Sequence, residues 1–205
     1  MPKRLTSDQL SAKITSEESP RKSKDGKFDV NWTVIQSPEY SAKFSKLSSN
    51  PDIARAIETR ARWALNNRTG SSTEEIYAVS LSDGREVARI TSQNIDSGIR
   101  RTASFSRRLH ETDSRKEPVL LLHNHPRGLP PSIADINALL EHQFVSGITV
   151  GHNGTVYYYS RPSREISEFD WAVELRRFKE FSESTSMEKA LEALSHKFGF
   201  IFVIL

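Results

Sequence analysis

The sequence has no cysteine and no long apolar run, and each absence excludes a class of structure. None of its 205 residues is a cysteine, which rules out disulfide bonds, thiolate metal sites and a thiol nucleophile. No apolar stretch approaches the roughly 20 residues that a membrane-spanning helix needs. Residues 1–5 lack the apolar core of a secretory signal. We therefore expect a cytoplasmic protein with no membrane association.

The positive charge is unevenly distributed. The formal net charge is +3 and the pI is about 9.2, but residues 1–27 hold seven Lys/Arg against four Asp/Glu, so residues 28–205 are neutral overall. The basic pI therefore describes a tail, whose Ser, Lys and Glu content predicts disorder, and argues against a nucleic-acid-binding face. The local basic cluster that could still support such binding consists of Arg100, Arg101, Arg107 and Arg108.

Composition and local signals divide the chain into four parts. These are a disordered basic tail (1–27), a helical N-terminal extension (28–70), a core (71–161) and a helical C-terminal extension (162–205). Asn50-Pro51-Asp52 predicts the start of a helix, with a capping Asn, a proline at the first helical position and an acid near the positive end of the helix dipole. Residues 66–70 are expected to end that helix.

Hydrophobic patterning predicts the elements of the core and of the C-terminal extension. The continuous apolar run 118–122 is typical of a strand buried on both faces. Residues 94–116 are polar and basic and predict a long loop with a short helix around 105–109. The remaining predictions are strands at 75–81, 86–90, 147–150 and 155–159, helices at 164–184 and 187–197, and an apolar strand or buried tail at 198–205.

The segment His-Asn-His-Pro, at residues 123–126, follows the apolar run and carries the most specific chemistry. Two histidines separated by one residue on a strand point to the same side, so their imidazoles can converge on one metal ion. Asp135 can supply a third ligand, and three N/O ligands with one open position are typical of a catalytic zinc site. Two simpler interpretations stay open: the histidines are ordinary polar residues, and Ser132 and Asp135 form a helix capping box.

The residues His-Asn-His-Pro at 123–126 and Ser-x-x-Asp at 132–135 resemble the signature of the JAMM (JAB/MPN-type) zinc metalloproteases, especially their RadC-like bacterial and mobile-element branch. The resemblance covers residues 72–160. It implies an α/β (α+β) fold with a mixed central β-sheet flanked by helices, the JAB/MPN (cytidine-deaminase-like) fold, with helical extensions at both ends. It also implies a Zn2+ ion with a bound water, held by His123, His125 and Asp135.

The family also has a glutamate at the start of an upstream strand, where it polarises the water. Glu74 and Glu75 are the candidates, and they face opposite sides of the strand, so at most one can look into the site. The family's spacing from the leucine that precedes the hairpin turn selects Glu74.

One departure from the family pattern is visible. Nine residues separate His125 from Asp135, one fewer than is common in the family, and the missing residue falls in the turn 128–131. The shorter turn bears directly on whether the acid can reach the metal.

The resemblance implies a hydrolase that uses zinc-activated water on a peptide or isopeptide bond of a protein or peptide substrate. Glu74 would take the proton of the water and pass it to the leaving amine, and Ser132 would donate a hydrogen bond to the oxyanion. Two alternatives are a catalytically idle domain of the same fold that serves as a binding or scaffold module, and a DNA-associated RadC-like protein of a mobile element.

The other histidines are not expected to bind metal. The Asn-Gly pair that follows His152 is a strong hairpin-turn signal, so His152 is interpreted as a residue flanking a turn. His110, His142 and His196 show no partner pattern and are expected to be surface residues.

Overall fold

The structure is a computed structural model that describes residues 26–94 and 103–205. The disorder predicted for residues 1–27 falls outside this range except at residues 26 and 27, and Arg100 and Arg101 fall outside it as well. Among the helices in the described ranges, none combines the length and the apolar character that crossing a bilayer requires.

The described residues form one six-stranded sheet with helices on both faces. In chain order the helices are α1 (Trp32–Ile35), α2 (Pro38–Ser45), α3 (Pro51–Arg68), α4 (Ala103–Ser114), α5 (Ile133–Asn137), α6 (Glu168–Arg177) and α7 (Glu183–Phe198), and a 3-10 turn (Ala138–Leu140) follows α5. The strands are β1 (Thr73–Ser80), β2 (Glu86–Asn94), β3 (Val119–His125), β4 (Phe144–Gly151), β5 (Val156–Ser160) and β6 (Phe202–Ile204).

The sheet is mixed, which confirms the predicted class of an α/β chain with a mixed sheet flanked by helices. The strand order is β2-β1-β3-β4-β5-β6. Strands β3 and β4 are parallel, and the other neighbours are antiparallel. The central strand β3 is buried from Val119 to Asn124, as its continuous apolar run predicts, because a strand covered by helices on both faces has no polar side to alternate with.

Each face of the sheet has its own apolar layer. Helices α1, α2 and α3 cover one face with side chains such as Ile35, Phe44 and Ile57. Helices α4, α5 and α7 cover the other with Phe105, Ile136 and others. The N-terminal extension therefore covers one face of the sheet, and the face under α4, α5 and α7 is the one that carries the candidate site.

Local signals account for the starts of several helices. Asn50 caps α3 by accepting a hydrogen bond from the Asp52 backbone N–H, with Pro51 in the first turn, as predicted. Ser132 caps α5, and its Oγ accepts a hydrogen bond from the Asp135 backbone N–H at 3.2 Å. Each cap satisfies an N–H that the first helical turn leaves without a partner.

Three predicted segments differ from the structure. Helix α4 spans twelve residues rather than a short stretch around 105–109, because Phe105, Leu109 and Thr112 recur at helical spacing and are buried. The helix predicted over 164–184 ends at Arg177, and Ser182 caps α7 instead, accepting from the Thr185 N–H. The closing segment forms only a three-residue edge strand, in which Val203 and Ile204 are exposed.

Candidate metal centre

Strand β3 brings His123 and His125 to its carboxyl end on the same side of the sheet. Ile76 of β1 and Thr149 of β4 lie opposite His123 in the two neighbouring strands. The ring centroids of the two histidines are 4.7 Å apart, and their Nε2 atoms are 3.0 Å apart. The two ring nitrogens therefore converge on one point, as the His-x-His spacing predicts.

Asp135 returns to this point from the first turn of α5. The Ser132 backbone N–H and hydroxyl each donate to Asp135 Oδ2 at 2.8 Å, so the predicted capping box is present. The same oxygen lies 3.6 Å from the Nε2 atoms of both His123 and His125. The capping interpretation and the ligand interpretation are thus compatible, because the cap aims the carboxylate at the histidines.

The short turn between the histidines and Asp135 closes through a glycine. Gly128 has a φ of +68°, and a Cβ there would lie 2.6 Å from Nδ2 of Asn153 in the β4–β5 turn. Its N–H donates to the His125 carbonyl oxygen at 2.9 Å. With nine residues between His125 and Asp135, the turn still returns the acid to within 3.6 Å of the ring nitrogen.

Glu74 is the glutamate that faces the histidines. It lies two residues before Ile76 on β1 and so shares its face, and its Oε1 is 3.6 Å from His125 Nε2. Ligand atoms of Glu74, His123 and His125 all lie within 4.8 Å of one another. Glu75 points to the opposite face, where its side chain is fully buried.

The separations of these atoms fit a metal ion. Four ligands at about 2.0–2.1 Å from a tetrahedral zinc stand roughly 3.3 Å from one another. The distances between the nitrogens of His123 and His125 and the nearest oxygen of Asp135 run from 3.0 to 3.6 Å. Two imidazoles and one carboxylate are also a donor set that suits zinc.

The charges around the histidines favour a positive charge at the site. Burial alone lowers the pKa of His125, but its interactions with Asp135 and Glu74 outweigh burial and raise the pKa to about 9. Burial raises the pKa of Asp135, but His123 and His125 outweigh it and hold that pKa well below its usual range. The carboxylates therefore stabilise a cation between them, whether it is a proton on His125 or a metal ion.

The outer contacts of the two histidines differ. The Nδ1–H of His125 donates to the Leu129 carbonyl oxygen at 2.9 Å, which leaves Nε2 free to bind a metal, the usual arrangement of a metal-binding imidazole. For His123, Nε2 lies 3.3 Å from Thr149 Oγ1, and Nδ1 is buried with no hydrogen-bond partner among the described residues. His125 is therefore the better oriented of the two.

A cavity of about 630 Å³ opens beside these residues. Glu74, His125, Ser132 and Asp135 line its polar side. Its apolar wall includes Ile76, Phe105, Leu121, Leu140, Phe144 and Met187, so that β1, β3, α4 and α7 all contribute to it. A volume of this size accommodates several residues of an extended peptide or a drug-sized molecule.

On the opposite face, directly behind the site, lies a closed polar network that the sequence did not predict. The Asn124 Oδ1 accepts from the Glu75 N–H at 2.8 Å, and its Nδ2 is 3.0 Å from His152 Nε2. The His152 Nδ1–H donates to the Phe28 carbonyl oxygen at 2.7 Å, and burial lowers the pKa of His152. His152 lies in the predicted turn but is buried, and no local signal could reveal a partner 124 residues away.

The expectation of a surface position was wrong for His142. The His142 side chain is only 11% exposed, and its Nδ1 lies 2.6 Å from Asp113 Oδ2, while His110 Nδ1 lies 3.6 Å from the same oxygen. This cluster of His110, Asp113 and His142 was not predicted, because His142 lies 29 residues from Asp113 and only the fold brings the two together. His110 and His196 are exposed, as expected.

Comparisons of the chain with models of known protein families, with curated proteins and with solved structures found no match.

Proposed function

We propose that this protein is a zinc-dependent hydrolase that cleaves a peptide or isopeptide bond, with the JAB/MPN fold of the JAMM metalloproteases and closest in type to their RadC-like branch. The observation that carries the proposal is the convergence of two imidazoles and one carboxylate on one point, with a second carboxylate beside them. The Nε2 atoms of His123 and His125 are 3.0 Å apart, and each lies 3.6 Å from Asp135 Oδ2. Glu74 Oε1 lies 3.6 Å from His125 Nε2.

In this proposal His123, His125 and Asp135 hold the zinc ion. Zinc bound there would supply the Lewis acidity that lowers the pKa of a water to roughly 7. The Ser132 backbone N–H and hydroxyl keep Asp135 oriented, and the Leu129 carbonyl oxygen keeps the ring of His125 oriented. Both contacts reduce the reorganisation that metal binding requires.

Glu74 is assigned as the general base. Its Oε1 lies 3.6 Å from His125 Nε2, and its side chain lines the cavity. Burial raises its pKa, although the nearby histidines lower it. A carboxylate with a raised pKa is a better proton acceptor than one in water, and it can return the proton to the leaving amine.

Ser132 is assigned as the donor to the oxyanion. Its hydroxyl donates to Asp135 Oδ2 at 2.8 Å, and its side chain lines the cavity. The Ser132 backbone N–H also donates to that oxygen. The hydroxyl can therefore turn towards a developing oxyanion while the backbone N–H continues to hold the carboxylate.

The test begins with metal content. Purified protein and a His125→Ala variant are compared by mass-spectrometric metal analysis, with His196→Ala as the control for loss of an exposed histidine. We expect the His125→Ala variant to hold one zinc equivalent less than the other two proteins. An unchanged zinc content would overturn the assignment of the site.

The second step measures hydrolysis. The protein is offered internally quenched linear peptides and branched peptides joined through a lysine side chain. We expect zinc-dependent cleavage that a chelator abolishes and added zinc restores. Zinc at the site without cleavage of either substrate type would favour the alternative of a catalytically idle binding module.

A further inference from the structure

A second cluster of metal-binding side chains lies where α4 ends and β4 begins. His110 and Asp113 are three residues apart on α4, so they share one side of the helix. His142 comes from the loop before β4, and the rings of the two histidines meet edge to face with centroids 5.2 Å apart. Ligand atoms of all three side chains lie within 4.8 Å of one another.

Asp113 is oriented so that one oxygen faces both histidines. Its Oδ1 accepts from the Gln143 backbone N–H at 2.9 Å. Its Oδ2 lies 2.6 Å from His142 Nδ1 and 3.6 Å from His110 Nδ1. The carboxylate is therefore held by the backbone through one oxygen and presents the other to two imidazoles.

The backbone at His142 has an unusual conformation. Its φ is +51°, in the left-handed region, which is unfavourable for a residue with a side chain but is tolerated by histidine better than by most. This conformation directs the ring towards Asp113. The neighbouring cation, Arg161, donates to the carbonyl oxygens of Leu140 and His142 at 2.8 and 3.0 Å, so backbone oxygens satisfy its N–H groups next to the cluster.

We propose that His110, Asp113 and His142 form a second metal site, which takes Zn2+ or a similar first-row transition metal and ties the end of α4 to the start of β4. Two imidazoles and one carboxylate match the ligand preference of these ions. The His110 side chain is 73% exposed, so water completes the coordination and the ion exchanges with solvent. Arg161 adds positive charge nearby, so the site binds zinc more weakly than the centre beside Glu74.

The ion would act on the fold rather than in catalysis. Helix α4 contributes Phe105 to the wall of the cavity and buries Leu109 in the apolar layer of the same face. At the carboxyl-terminal end of α4, Asp113 contacts the His142 ring and the Gln143 backbone N–H, which lie just before β4. A metal ion at this end would restrain the helix that forms part of the cavity wall.

The test counts zinc in a protein whose first site has been removed. A His125→Ala variant is equilibrated with zinc and analysed, and we expect one ion per chain. Adding His110→Ala should remove that ion, because one of its three ligands is lost. Since His110 is exposed, its loss should leave the fold intact. Adding His196→Ala instead should leave the ion in place, since His196 is another exposed histidine.

Thermal unfolding gives a second measurement. Zinc should raise the melting temperature of His125→Ala, because a ligand that binds only the folded state stabilises it, and should not raise that of the His110→Ala/His125→Ala double variant. Asp113→Asn retains the acceptor for the Gln143 N–H and removes the anionic ligand, so it should also abolish the shift.

If His125→Ala binds no zinc, or if adding His110→Ala leaves the zinc content of His125→Ala unchanged, the cluster is only a hydrogen-bonded pair. Because His125 takes no part in this cluster, either proposed site can be disproved without affecting the other.

Discussion

The two faces of β1 and β3 carry polar side chains at the same level of the sheet, but the hydrogen-bond pairing of those side chains differs between the faces. On the face under α3, Asn124, Glu75 and His152 each contact partners that match their donors and acceptors. On the face under α5, the Nε2 atoms of His123 and His125 lie 3.0 Å from each other. Strand alternation alone separates the two groups, since neighbouring residues point to opposite faces.

The difference shows how a structural polar residue can be told from a chemical one. Buried polar groups are normally paired, because leaving one unpaired costs about 1–3 kcal/mol. Two imidazole nitrogens and two carboxylates bring several lone pairs together, and a cation between them matches all of these groups. The face under α3, the closed face, therefore stabilises the fold, and the face under α5, the open face, fits the metal ion that we propose.

The largest effect should come from Glu74→Gln, which changes the open face alone. Removing a general base slows turnover by about 10²–10⁴-fold, while zinc content and melting temperature should stay unchanged, because Glu74 is not among the proposed ligands. The measurement is kcat for the best peptide found, beside metal analysis and thermal unfolding. Glu165→Gln is the matched control, since Glu165 also lines the cavity but is exposed. Equal rates for the two variants would remove Glu74 from the mechanism.

Changing the adjacent residue, Glu75→Gln, should affect stability instead of turnover. The Glu75 carboxylate lies 3.3 Å from Arg68 Nε and accepts from the Tyr77 hydroxyl at 2.6 Å. Both members of the ion pair are buried, and removing one partner of such a pair costs about 3–5 kcal/mol. Denaturant unfolding should show a loss of that order, with zinc still bound.

Arg68→Met provides the rescue for this variant. Combined with Glu75→Gln, it removes the uncompensated charge and should recover part of the lost free energy of unfolding. If Glu75→Gln abolished turnover in a protein of normal stability, the assignment of the two glutamates to their faces would be wrong.

A smaller loss is expected from Asn124→Ala on the closed face. Asn124 joins the amino end of β1 to the β4–β5 turn by accepting from the Glu75 N–H and donating to His152. The variant leaves these two buried groups without their partner, at a cost of about 1–3 kcal/mol. Zinc should remain bound, because Asn124 points away from the histidines. Loss of zinc from a protein that still unfolds cooperatively would show that the two faces are not independent.

The open face was the more predictable of the two, because its geometry depends on local rules. His-x-His places both rings on one side of any strand, and Ser-x-x-Asp at a helix start returns the acid through a capping box. The choice of Glu74 rested on the spacing of the family that the motif resembles, and the structure brings Glu74 rather than Glu75 to the histidines.

The closed face and the second cluster were not predictable because their partners are distant in sequence. His152 is paired with Phe28, 124 residues away, and Asp113 with His142, 29 residues away. The boundary between α6 and α7 was predicted wrongly for a different reason. No glycine or proline marks residues 178–182, so the break depends on the cap that Ser182 provides for α7.

A further predicted effect is a pH dependence of zinc affinity that belongs to the open face. The interactions of His125 with Asp135 and Glu74 outweigh burial and raise its pKa to about 9, so below that pH zinc must displace a proton from the ring. The apparent affinity should therefore rise about tenfold per unit as the pH increases from 6 to 8. Asp135 adds nothing to this slope, since its lowered pKa keeps it ionised throughout. Competition with a chelator in a His110→Ala background isolates this site, and a flat profile would mean that His125 carries no proton for the metal to displace.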